Sequence, residues 1–514
     1  MKVKRYRLTQ LKLRLDESPN VIPEKIAKKF GHRDMQISDL TIVRKSVDAR
    51  KKSDIRQVFT VDFTTDRELD LPVPKDVSYR PVPSGKEPMK HRPVIVGLGP
   101  CGIFCGMTLA ERGYRPVIVE RGYDMDTRIK VVNEFWNRGI FNPECNVQYG
   151  EGGAGTFSDG KLTTGIRDPR RFKVLDEFIE AGADPEIRYV QKPHVGTDIL
   201  RHIVRNMRYK IENMGGDVEF DARMNRITTE GDRLTGLVIQ QGYQLRHIDA
   251  DNLILAMGHS SRDTLRSLLK SGLHMEQKPF SIGVRIEHPQ QMVDESQYGS
   301  EAGNPYLPHA TYKLVHHCEN GRGVYTFCMC PGGEVIVASS ETGRVVTNGM
   351  SYRQRNSGVA NSGLLVDVRT SDFGSNHPLS GMEFQEKYEE IAFRNGGGNY
   401  KAPQTTWADF RDNTAAAQPV VESLPAFAVD AIREAMPHLG QKLKGFDADD
   451  ARMTAVETRS SSPVRILRDE HFESNIKGLF PGGEGAGYAG GIMSSAVDGI
   501  RLAEEIIRRY APME

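Results

Sequence analysis

A glycine-rich turn between an apolar strand and an apolar helix constrains the fold of this 514-residue chain most strongly. The segment VIVGLGPCGIFCG places Gly97, Gly99 and Gly102 in the spacing G-x-G-x-x-G. In this spacing the first glycine permits a tight turn, the second lets the backbone approach a pyrophosphate, and the third lets the helix pack against the strand. The amides and dipole of the helix N-terminus favour a phosphate group. We therefore predict a β-α-β unit with a parallel sheet that binds a dinucleotide.

An acidic residue ends the strand after this helix. Glu120 follows Gly102 by 18 residues, and its carboxylate is placed to accept hydrogen bonds from ribose hydroxyls. Since the turn has its strand, its helix and this acid, a glycine turn without a ligand is the weaker interpretation.

Three further segments carry glycines or end in them. The loop VQYGEGGAGTFSDGKL (147–162) is able to present backbone amides to an anion or a flat ring, and a flexible surface loop is the alternative. The apolar strand NLILAMG ends at Gly258. The segment GLFPGGEGAGYAGGIMSSAVDGIRLAEEI (478–506) contains a glycine-rich turn and a helix from about Ile492, which directs another helix N-terminus at a polarisable ligand.

In this order, the four segments resemble the two-dinucleotide-binding-domain flavoproteins, which include the glutathione reductase and p-hydroxybenzoate hydroxylase types. More closely, the phrases GEGGAGTFSDGKL, KPHVGTDIL, TFCMCPGG, ETRSSSPVRI and GLFPGGEGAGYAGGI resemble a bacterial family of uncharacterised FAD-dependent dehydrogenases, over the whole chain. The resemblance implies FAD as the cofactor. It also implies an FAD-dependent oxidoreductase that acts on an unknown small substrate by hydride transfer at flavin N5.

The resemblance also assigns roles along the cofactor. The first glycine turn would hold the pyrophosphate, Glu120 and Arg121 would lie along the adenosine half, and the second loop would lie under the flavin and ribityl. The acidic turn near residue 484 would contact the ribityl, and residues 489–493 would face the pyrimidine edge. The predicted cofactor-binding residues are Gly97, Gly99, Gly102, Glu120, Arg121, Gly152, Gly153, Ser158, Gly258, Gly483, Glu484, Gly491 and Ile492.

The candidate catalytic residues are Arg459, Arg465 and His194. Both arginines lie in a segment that leads into the last glycine turn, and arginine suits a carboxylate-bearing substrate; ion pairs within the protein are an equal alternative. His194 is a candidate acid or base, although a structural histidine at a helix start is the favoured interpretation. Cys328 and Cys330 flank Met329 on a predicted strand, as a pocket-facing thiol pair or as small buried residues.

The expected fold is α/β, with a discontinuous Rossmann-like FAD-binding domain, an inserted mixed α+β substrate domain and a small N-terminal α+β domain. The N-terminal domain is predicted to be a β-α-β-β unit, and a proline-rich linker follows it. The expected bounds are 1–70 for the N-terminal domain, 71–93 for the linker, 94–274 and 451–514 for the two parts of the FAD-binding domain (the first with a β-meander from residue 217), and 275–450 for the substrate domain.

Charge is distributed unevenly. Residues 1–60 contain 16 Lys and Arg against 7 Asp and Glu, while the formal net charge of the whole chain is +1. A solvated face or a surface that docks on the acidic body is the favoured interpretation, and nucleic acid is not an expected partner because few aromatic residues accompany the charges. A flavin-dependent modifier of nucleic acid and an FAD-binding redox sensor without turnover stay as alternative functions.

The remaining expectations concern partners and location. The chain has six Cys and no C-x-x-C pair, so we expect neither a metal site nor a disulfide framework. Only the G-x-G-x-x-G at Gly97–Gly102 directly joins an apolar strand to a helix and is followed by a strand that ends in an acid, so NAD(P)H is expected only as a transient donor beside a small-molecule substrate. The N-terminus lacks an apolar signal-like region, and we expect a cytoplasmic protein without a membrane partner.

Overall fold

The N-terminal residues form a three-stranded antiparallel sheet with one helix. In the computed structural model, which describes residues 3–32 and 34–513, the sheet order is β1-β3-β2. Its elements are β1 (Lys4–Leu13), α1 (Ile22–Lys29), β2 (Ile37–Asp48) and β3 (Arg56–Thr65). Apolar side chains from β1, α1 and β3 form a core of their own. The predicted β-α-β-β order is confirmed.

This N-terminal unit docks on the rest of the chain through strand β2. The Lys45 N–H donates to the carbonyl of Tyr189 at 2.8 Å, and the Gln191 N–H donates to the carbonyl of Lys45 at 2.9 Å. Leu15 and Ile55 are buried in the core of the large antiparallel sheet described below. The edge of β2 is thereby partly paired with the body of the protein.

The next stretch alternates strands and helices. Its elements are β4 (Val94–Val96), α2 (Pro100–Ala110), β5 (Val117–Val119), α3 (Met125–Arg138), α4 (Arg170–Glu180), α5 (Thr197–Asn213), β6 (Asp217–Glu219), β7 (Arg223–Glu230), β8 (Arg233–Gln241), β9 (Gln244–Asp249), β10 (Leu253–Leu255), α6 (Arg262–Lys270) and β11 (Met275–Gln277).

The second half of the chain is first mostly antiparallel and then returns to the parallel sheet. Its elements are β12 (Phe280–Pro289), α7 (Gln290–Tyr298), β13 (Val315–His317), β14 (Gly323–Cys330), β15 (Glu334–Val337), β16 (Thr347–Met350), β17 (Val359–Val368), α8 (Ser380–Asn395), β18 (Gln404–Thr406), α9 (Trp407–Asp412), α10 (Gln418–Val421), α11 (Ala426–Lys442), β19 (Arg452–Glu457), β20 (Val464–Ile466), β21 (Leu479–Pro481) and α12 (Ile492–Arg509).

A five-stranded parallel sheet in the order β21-β10-β4-β5-β6 combines strands from both halves of the chain. Helices α2, α4, α5 and α12 pack over it with one shared apolar core. Strands β7, β8 and β9 form a separate antiparallel sheet. The sequence placed the segment near residue 217 in this meander, but β6 instead pairs with β5 at the edge of the parallel sheet.

A six-stranded sheet, β13-β14-β17-β12-β19-β18, forms the inserted part. Its central strand β12 pairs antiparallel with β17 and with β19. Because β19 ends at Glu457, this sheet extends beyond residue 450, where the sequence predicted its end. The apolar run in β19 is buried in the same core as β12, and the sequence alone did not show which sheet that run joins.

Residues 71–93 contain no named helix or strand, yet they lie against the body. The Gly85 N–H donates to the carbonyl of Ile507 at 2.7 Å, and Tyr79 and Val82 pack against the core under α2 and α12. Arg112 donates to the carbonyl of Val82 at 2.9 Å. The segment is thus a fixed strap, although its sequence resembles a linker. Among the described residues, no helix is both long and apolar enough to cross a membrane.

Two truncations test the strap. A chain that starts at residue 71 keeps the packing of Tyr79 and Val82, and a chain that starts at residue 86 loses it. Two half-buried apolar side chains and their hydrogen bonds contribute about 2 kcal/mol. We expect the shorter chain to unfold at a lower urea concentration, as followed by circular dichroism. Equal midpoints would show that the strap contributes no stability.

Candidate active site

The first glycine turn lies at the carboxyl edge of the parallel sheet. Gly97, directly after β4, has a φ of +102°, and a Cβ there would be 2.4 Å from the carbonyl oxygen of Ala256. A Cβ on Gly102 would be 1.9 Å from the Gly97 carbonyl oxygen, so α2 lies directly against the turn. These two glycines set the shape of the turn and the position of the α2 N-terminus.

Gly99 is in a different situation. Its φ is −83°, and a Cβ there would meet nothing nearer than the Cα of Gly153 at 3.9 Å. The protein itself therefore does not need glycine at this position. Gly99 lines a cavity in front of α2, whose first-turn N–H groups have no partner within the helix. An occupant that approaches the backbone closely gives a physical reason for this glycine.

The Glu120 carboxylate holds three backbone segments together. It accepts the N–H groups of Leu98 at 2.9 Å, Gly122 at 2.9 Å and Gly150 at 2.8 Å. A carboxylate has about four acceptor positions, so about one stays available for a ribose hydroxyl. Glu120 lines the cavity, and the ribose contact stays a prediction. The sequence did not predict the second role of Glu120, which is to hold the two glycine-rich loops together.

A buried arginine supports the second loop from behind. Arg128 on α3 is fully buried and donates to the carbonyls of Asn146 at 3.0 Å, Val147 at 2.9 Å, Gly150 at 3.2 Å and Glu151 at 2.6 Å. Burial lowers the pKa of Arg128 to about 10, against the opposing effect of Cys145 and the nearby carboxylates. Sequence reasoning missed this residue because nothing local in the sequence links α3 to the loop.

The loop itself approaches the first turn. Gly153 has a φ of +64°, and a Cβ there would be 3.1 Å from the Cα of Gly99. Gly152 has a φ of +86° and lies behind the cavity wall, where a Cβ would be 2.2 Å from the Thr156 hydroxyl. Ser158 lines the cavity, but its hydroxyl donates to the Gly155 carbonyl at 2.6 Å.

The last glycine turn closes the cavity from the C-terminal side. Its Gly483 N–H donates to Asp498 at 2.8 Å, and the α12 N-terminus follows at Gly491 and Ile492. Burial raises the pKa of Glu484 to about 7, and the Gly491 N–H and Lys278 oppose this rise. A carboxyl group that titrates near neutrality therefore faces the cavity.

The opposite wall comes from the six-stranded sheet and strand β16. Its members include Phe327, Cys328, Cys330, residues 346–349, Glu457, Arg459 and Ser460. A bulge interrupts the pairing of β14 between Phe327 and Cys330, and Cys328 there has a φ of +44°. Bulges of this kind redirect side chains and are common beside active sites. Both thiols line the cavity, where Cys330 is buried and Cys328 is exposed into the open space. The enclosing walls desolvate Cys328 and raise its pKa to about 11.

A network of buried charges supports this wall. Glu389 on α8 is fully buried and accepts Arg262 through two bonds of 2.8 Å. Arg459 donates to the same carboxylate at 2.8 and 3.0 Å. Burial would raise the pKa of Glu389, but the two arginines lower it far below the usual range. Burial, with Arg459 and Arg262 nearby, lowers the pKa of His259 to about 3, so this imidazole is neutral.

The three predicted catalytic residues lie in different environments. Arg459 lines the cavity, but Glu389, Glu341, Ser260 and Ser340 occupy all five of its N–H donors. An anionic substrate would have to displace one of these partners. Arg459 is therefore a wall residue without a free donor.

Arg465 and His194 are not among the residues that line the cavity. The Arg465 guanidinium lies 3.4 Å from Glu276 and is 42% exposed, and its strand β20 pairs with β11. His194 precedes helix α5 by three residues, and its Nε2 lies 3.3 Å from the Arg353 carbonyl oxygen. Burial and Arg355 lower the pKa of His194 to about 4.

Most of the predicted cofactor-binding residues surround one cavity of about 460 Å³. Arg121 is one of them; it lies over the Tyr149 ring at 4.0 Å and pairs with Glu144 and Asp263. Gly102 and Gly152 are not part of the lining and instead shape the two loops behind it. The predicted residues in the lining are Gly97, Gly99, Glu120, Arg121, Gly153, Ser158, Gly258, Gly483, Glu484, Gly491 and Ile492.

These residues fit FAD. A helix N-terminus and the cradle at Gly99 suit the pyrophosphate, the free acceptor position of Glu120 suits a ribose hydroxyl, and the second N-terminus at Gly491 suits a group that becomes anionic on reduction. The lining continues past these groups to the sheet wall.

One cluster of metal-binding residue types lies elsewhere. The ligand atoms of His316, Cys318 and Glu434 lie within 4.8 Å of one another. Glu434 also accepts the Glu319 N–H at 2.8 Å, and the Cys318 thiol donates to the Ala431 carbonyl at 3.6 Å. These groups have partners within the protein, and we assign no ion to them.

Comparisons with known proteins agree with this picture. Residues 279–460 match the model of the "FAD-dependent protein, C-terminal domain-like" family, and residues 5–64 match a domain of unknown function. An uncharacterised protein of Clostridium beijerinckii is 46% identical over 530 residues, and the alignment covers 98% of this chain and 99% of that protein.

Solved structures are more distant. A geranylgeranyl bacteriochlorophyll reductase-like protein from Thermoplasma acidophilum is 13% identical with a TM-score of 0.37, over 82% of this chain and 78% of that chain. The glycerol-3-phosphate dehydrogenase from Bacillus halodurans, solved with FAD, is 14% identical with a TM-score of 0.37, over 81% and 64%. At these values no activity transfers to this chain.

Two glycine substitutions distinguish a cofactor cradle from a structural turn. Gly99→Ala adds a methyl group to the cavity without a clash in the protein, so it should reduce FAD affinity at least about tenfold and leave the stability of the flavin-free protein unchanged within about 1 kcal/mol. Gly102→Ala should destabilise the flavin-free protein by about 1–3 kcal/mol. Fluorescence of released FAD on dilution and urea unfolding measure the two effects. A Gly99→Ala variant that binds FAD normally would disprove the cradle.

Glu484 predicts a pH effect in the flavin-free protein. Its pKa rises from about 4.5 unfolded to about 7 folded, so the folded state is favoured below pH 4.5 and loses that advantage as the pH rises to 7. The Glu484→Gln side chain does not titrate, so this variant does not lose stability between pH 4.5 and pH 7 through this position. The variant should match the wild type near pH 4.5 and exceed it by about 1–3 kcal/mol above pH 7, in urea unfolding at each pH. A difference that does not change with pH would contradict this expectation.

Proposed function

We propose that this chain, which belongs to a family of FAD-dependent proteins, is an oxidoreductase in which FAD exchanges a hydride with a small substrate. The observation that carries the proposal is the shared cavity. Glycine-rich loops of the parallel sheet form one wall, and strands of the inserted sheet form the other. A cavity between a cofactor unit and a second unit is the common place for a substrate.

In this proposal, different parts of the chain have different roles. The turn at Gly97–Gly102 and the α2 N-terminus hold phosphate groups, and Glu120 keeps the two loops at a fixed separation. The α12 N-terminus and Glu484 lie at the other end of the cavity. The inserted sheet and α8 hold the substrate wall in place, because the charges at Arg285, Glu457 and Glu389 that support it are buried and paired.

The proposal includes a small-molecule substrate as the partner. NAD(P)H is proposed only as a transient donor, because the chain contains one dinucleotide fingerprint. The basic N-terminal unit docks on the body through Lys45, Leu15 and Ile55, which supports a structural role for that unit over binding of nucleic acid.

Anaerobic reduction of the purified, FAD-loaded protein tests the function. We expect slow bleaching of the oxidised flavin absorbance by NADH or NADPH alone, since no second nucleotide site is predicted, and rapid reoxidation of the photoreduced protein by an added small acceptor. Free FAD at the same concentration is the control for the uncatalysed reaction.

Two outcomes would change this proposal. If neither donors nor acceptors alter the flavin faster than they alter free FAD, a redox sensor without turnover replaces the oxidoreductase. If NADPH alone reduces the protein rapidly, the cavity contains a nicotinamide site, and NADPH is a substrate in its own right.

A further inference from the structure

Lys161 lies where the second glycine-rich loop meets the inserted sheet. It lines the cavity, and its backbone forms an isolated antiparallel β-bridge with that of His194. Its Nζ is 3.4 Å from a carboxylate oxygen of Asp159 and 3.7 Å from the sulfur of Cys330. Among the described residues, the bond to this sulfur is the only hydrogen bond that the ammonium group donates.

The Asp159 carboxylate already has strong partners. Arg355 donates to both of its oxygens, at 3.1 and 2.6 Å, and the Ser351 hydroxyl donates to it as well. One carboxylate thus faces two cations. The Cys330 thiol donates to the Cys328 carbonyl at 3.3 Å. This end of the cavity therefore has one positive charge in excess.

The other cations of the cavity are compensated. Arg459 has all its donors occupied, as described above. Arg121 and Arg223 pair with Glu144 and Asp263. Burial disfavours the charge of Lys161, whereas the neighbouring Asp159 carboxylate favours it, and the pKa of Lys161 is raised above its usual value. The ammonium group is charged at neutral pH and has spare donors.

A second polar group on the same wall lacks a partner. Thr347 on β16 is 2% exposed and lines the cavity, and its hydroxyl oxygen has no hydrogen-bond partner among the described residues. Strand β16 lies close to Cys330, since a Cβ on Gly349 would be 2.9 Å from the Cys330 sulfur. As the side chain stands, this oxygen has almost no surface toward the cavity, and a buried hydroxyl without a partner is costly. A rotation of the Thr347 side chain toward a bound ligand would remove that cost.

We propose that Lys161 and Thr347 form a subsite for a carboxylate group of the substrate. This inference rests on the proposed function and names its substrate class, a small organic carboxylate. A monoanion balances the single excess charge, whereas a dianionic phosphate would leave a negative charge buried beside Asp159 and Glu457. A lysine ammonium with a hydroxyl donor matches a carboxylate in hydrogen-bonding capacity.

Binding of simple probes to the oxidised, FAD-loaded enzyme tests the subsite. The probes are acetate, pyruvate and benzoate, with acetamide and benzamide as neutral counterparts and inorganic phosphate as the dianion. Isothermal titration calorimetry and the shift of the flavin visible spectrum report binding without turnover. We expect at least one carboxylate to bind, and the amides and phosphate to bind at least about tenfold more weakly.

The variants separate charge from shape. Lys161→Gln should weaken carboxylate binding about tenfold or more, Lys161→Arg should keep most of it, and Thr347→Val should weaken it a few-fold. Lys192→Gln is the matched control, because Lys192 is an exposed lysine on a neighbouring segment whose Nζ donates to Thr311, and it should bind like the wild type.

Four results would overturn the subsite. They are no binding by any of the three carboxylates, equal binding of carboxylates and amides, unchanged binding in Lys161→Gln, and loss of FAD in Lys161→Gln in place of lost anion selectivity, which would assign Lys161 to the cofactor. A different result would disprove the proposed function alone. If carboxylates bind through Lys161 but the flavin never turns over, the subsite is retained and the oxidoreductase is disproved.

Discussion

The position of both glycine-rich loops depends on the carboxylate of Glu120. The N–H groups that it accepts come from the first turn, from the end of β5 and from the second loop. Without these bonds, three buried donors would stay unpaired, each at a cost of about 1–3 kcal/mol. Arg128 does the complementary task, because its guanidinium donates to the carbonyls of the same loop. An irregular loop thus has a defined shape because one anion satisfies its donors and one cation its acceptors.

The inserted sheet obtains its rigidity at the cavity from charge as well as from apolar packing. Glu389 on α8 connects Arg262 at the start of α6 with Arg459 just after β19. Ion pairs this deeply buried contribute little net stability, but the loss of one member is expensive, so the three elements are held in one arrangement. The wall that faces the glycine loops therefore has little freedom to adapt, and its shape limits which molecules fit between them.

Local signals in the sequence predicted the elements that they encode. The turn at Gly97–Gly102, the strand before it and the helix after it follow from glycine spacing and apolar runs, and most predicted cofactor residues border one cavity. Interactions between distant residues were not predictable. The pairing of β19 with β12, the support by Arg128 and the occupied donors of Arg459 each join residues far apart in the chain. Arg459 had the right residue type and neighbourhood for an anion site, and only the structure shows that Glu389 already occupies it.

The order of strands in the parallel sheet has a consequence for biosynthesis. Strand β21 and helix α12 come from the last part of the chain, yet β21 pairs with β10, and α12 lies against α2. During translation, the early strands and the whole inserted sheet leave the ribosome before one wall of the cavity exists. The N-terminal unit is able to form its own core at once, whereas the parallel sheet has to wait for contacts of long sequence separation. A chain cut short before β21 lacks Gly483, Glu484 and the N-terminus of α12, and therefore has no complete cavity.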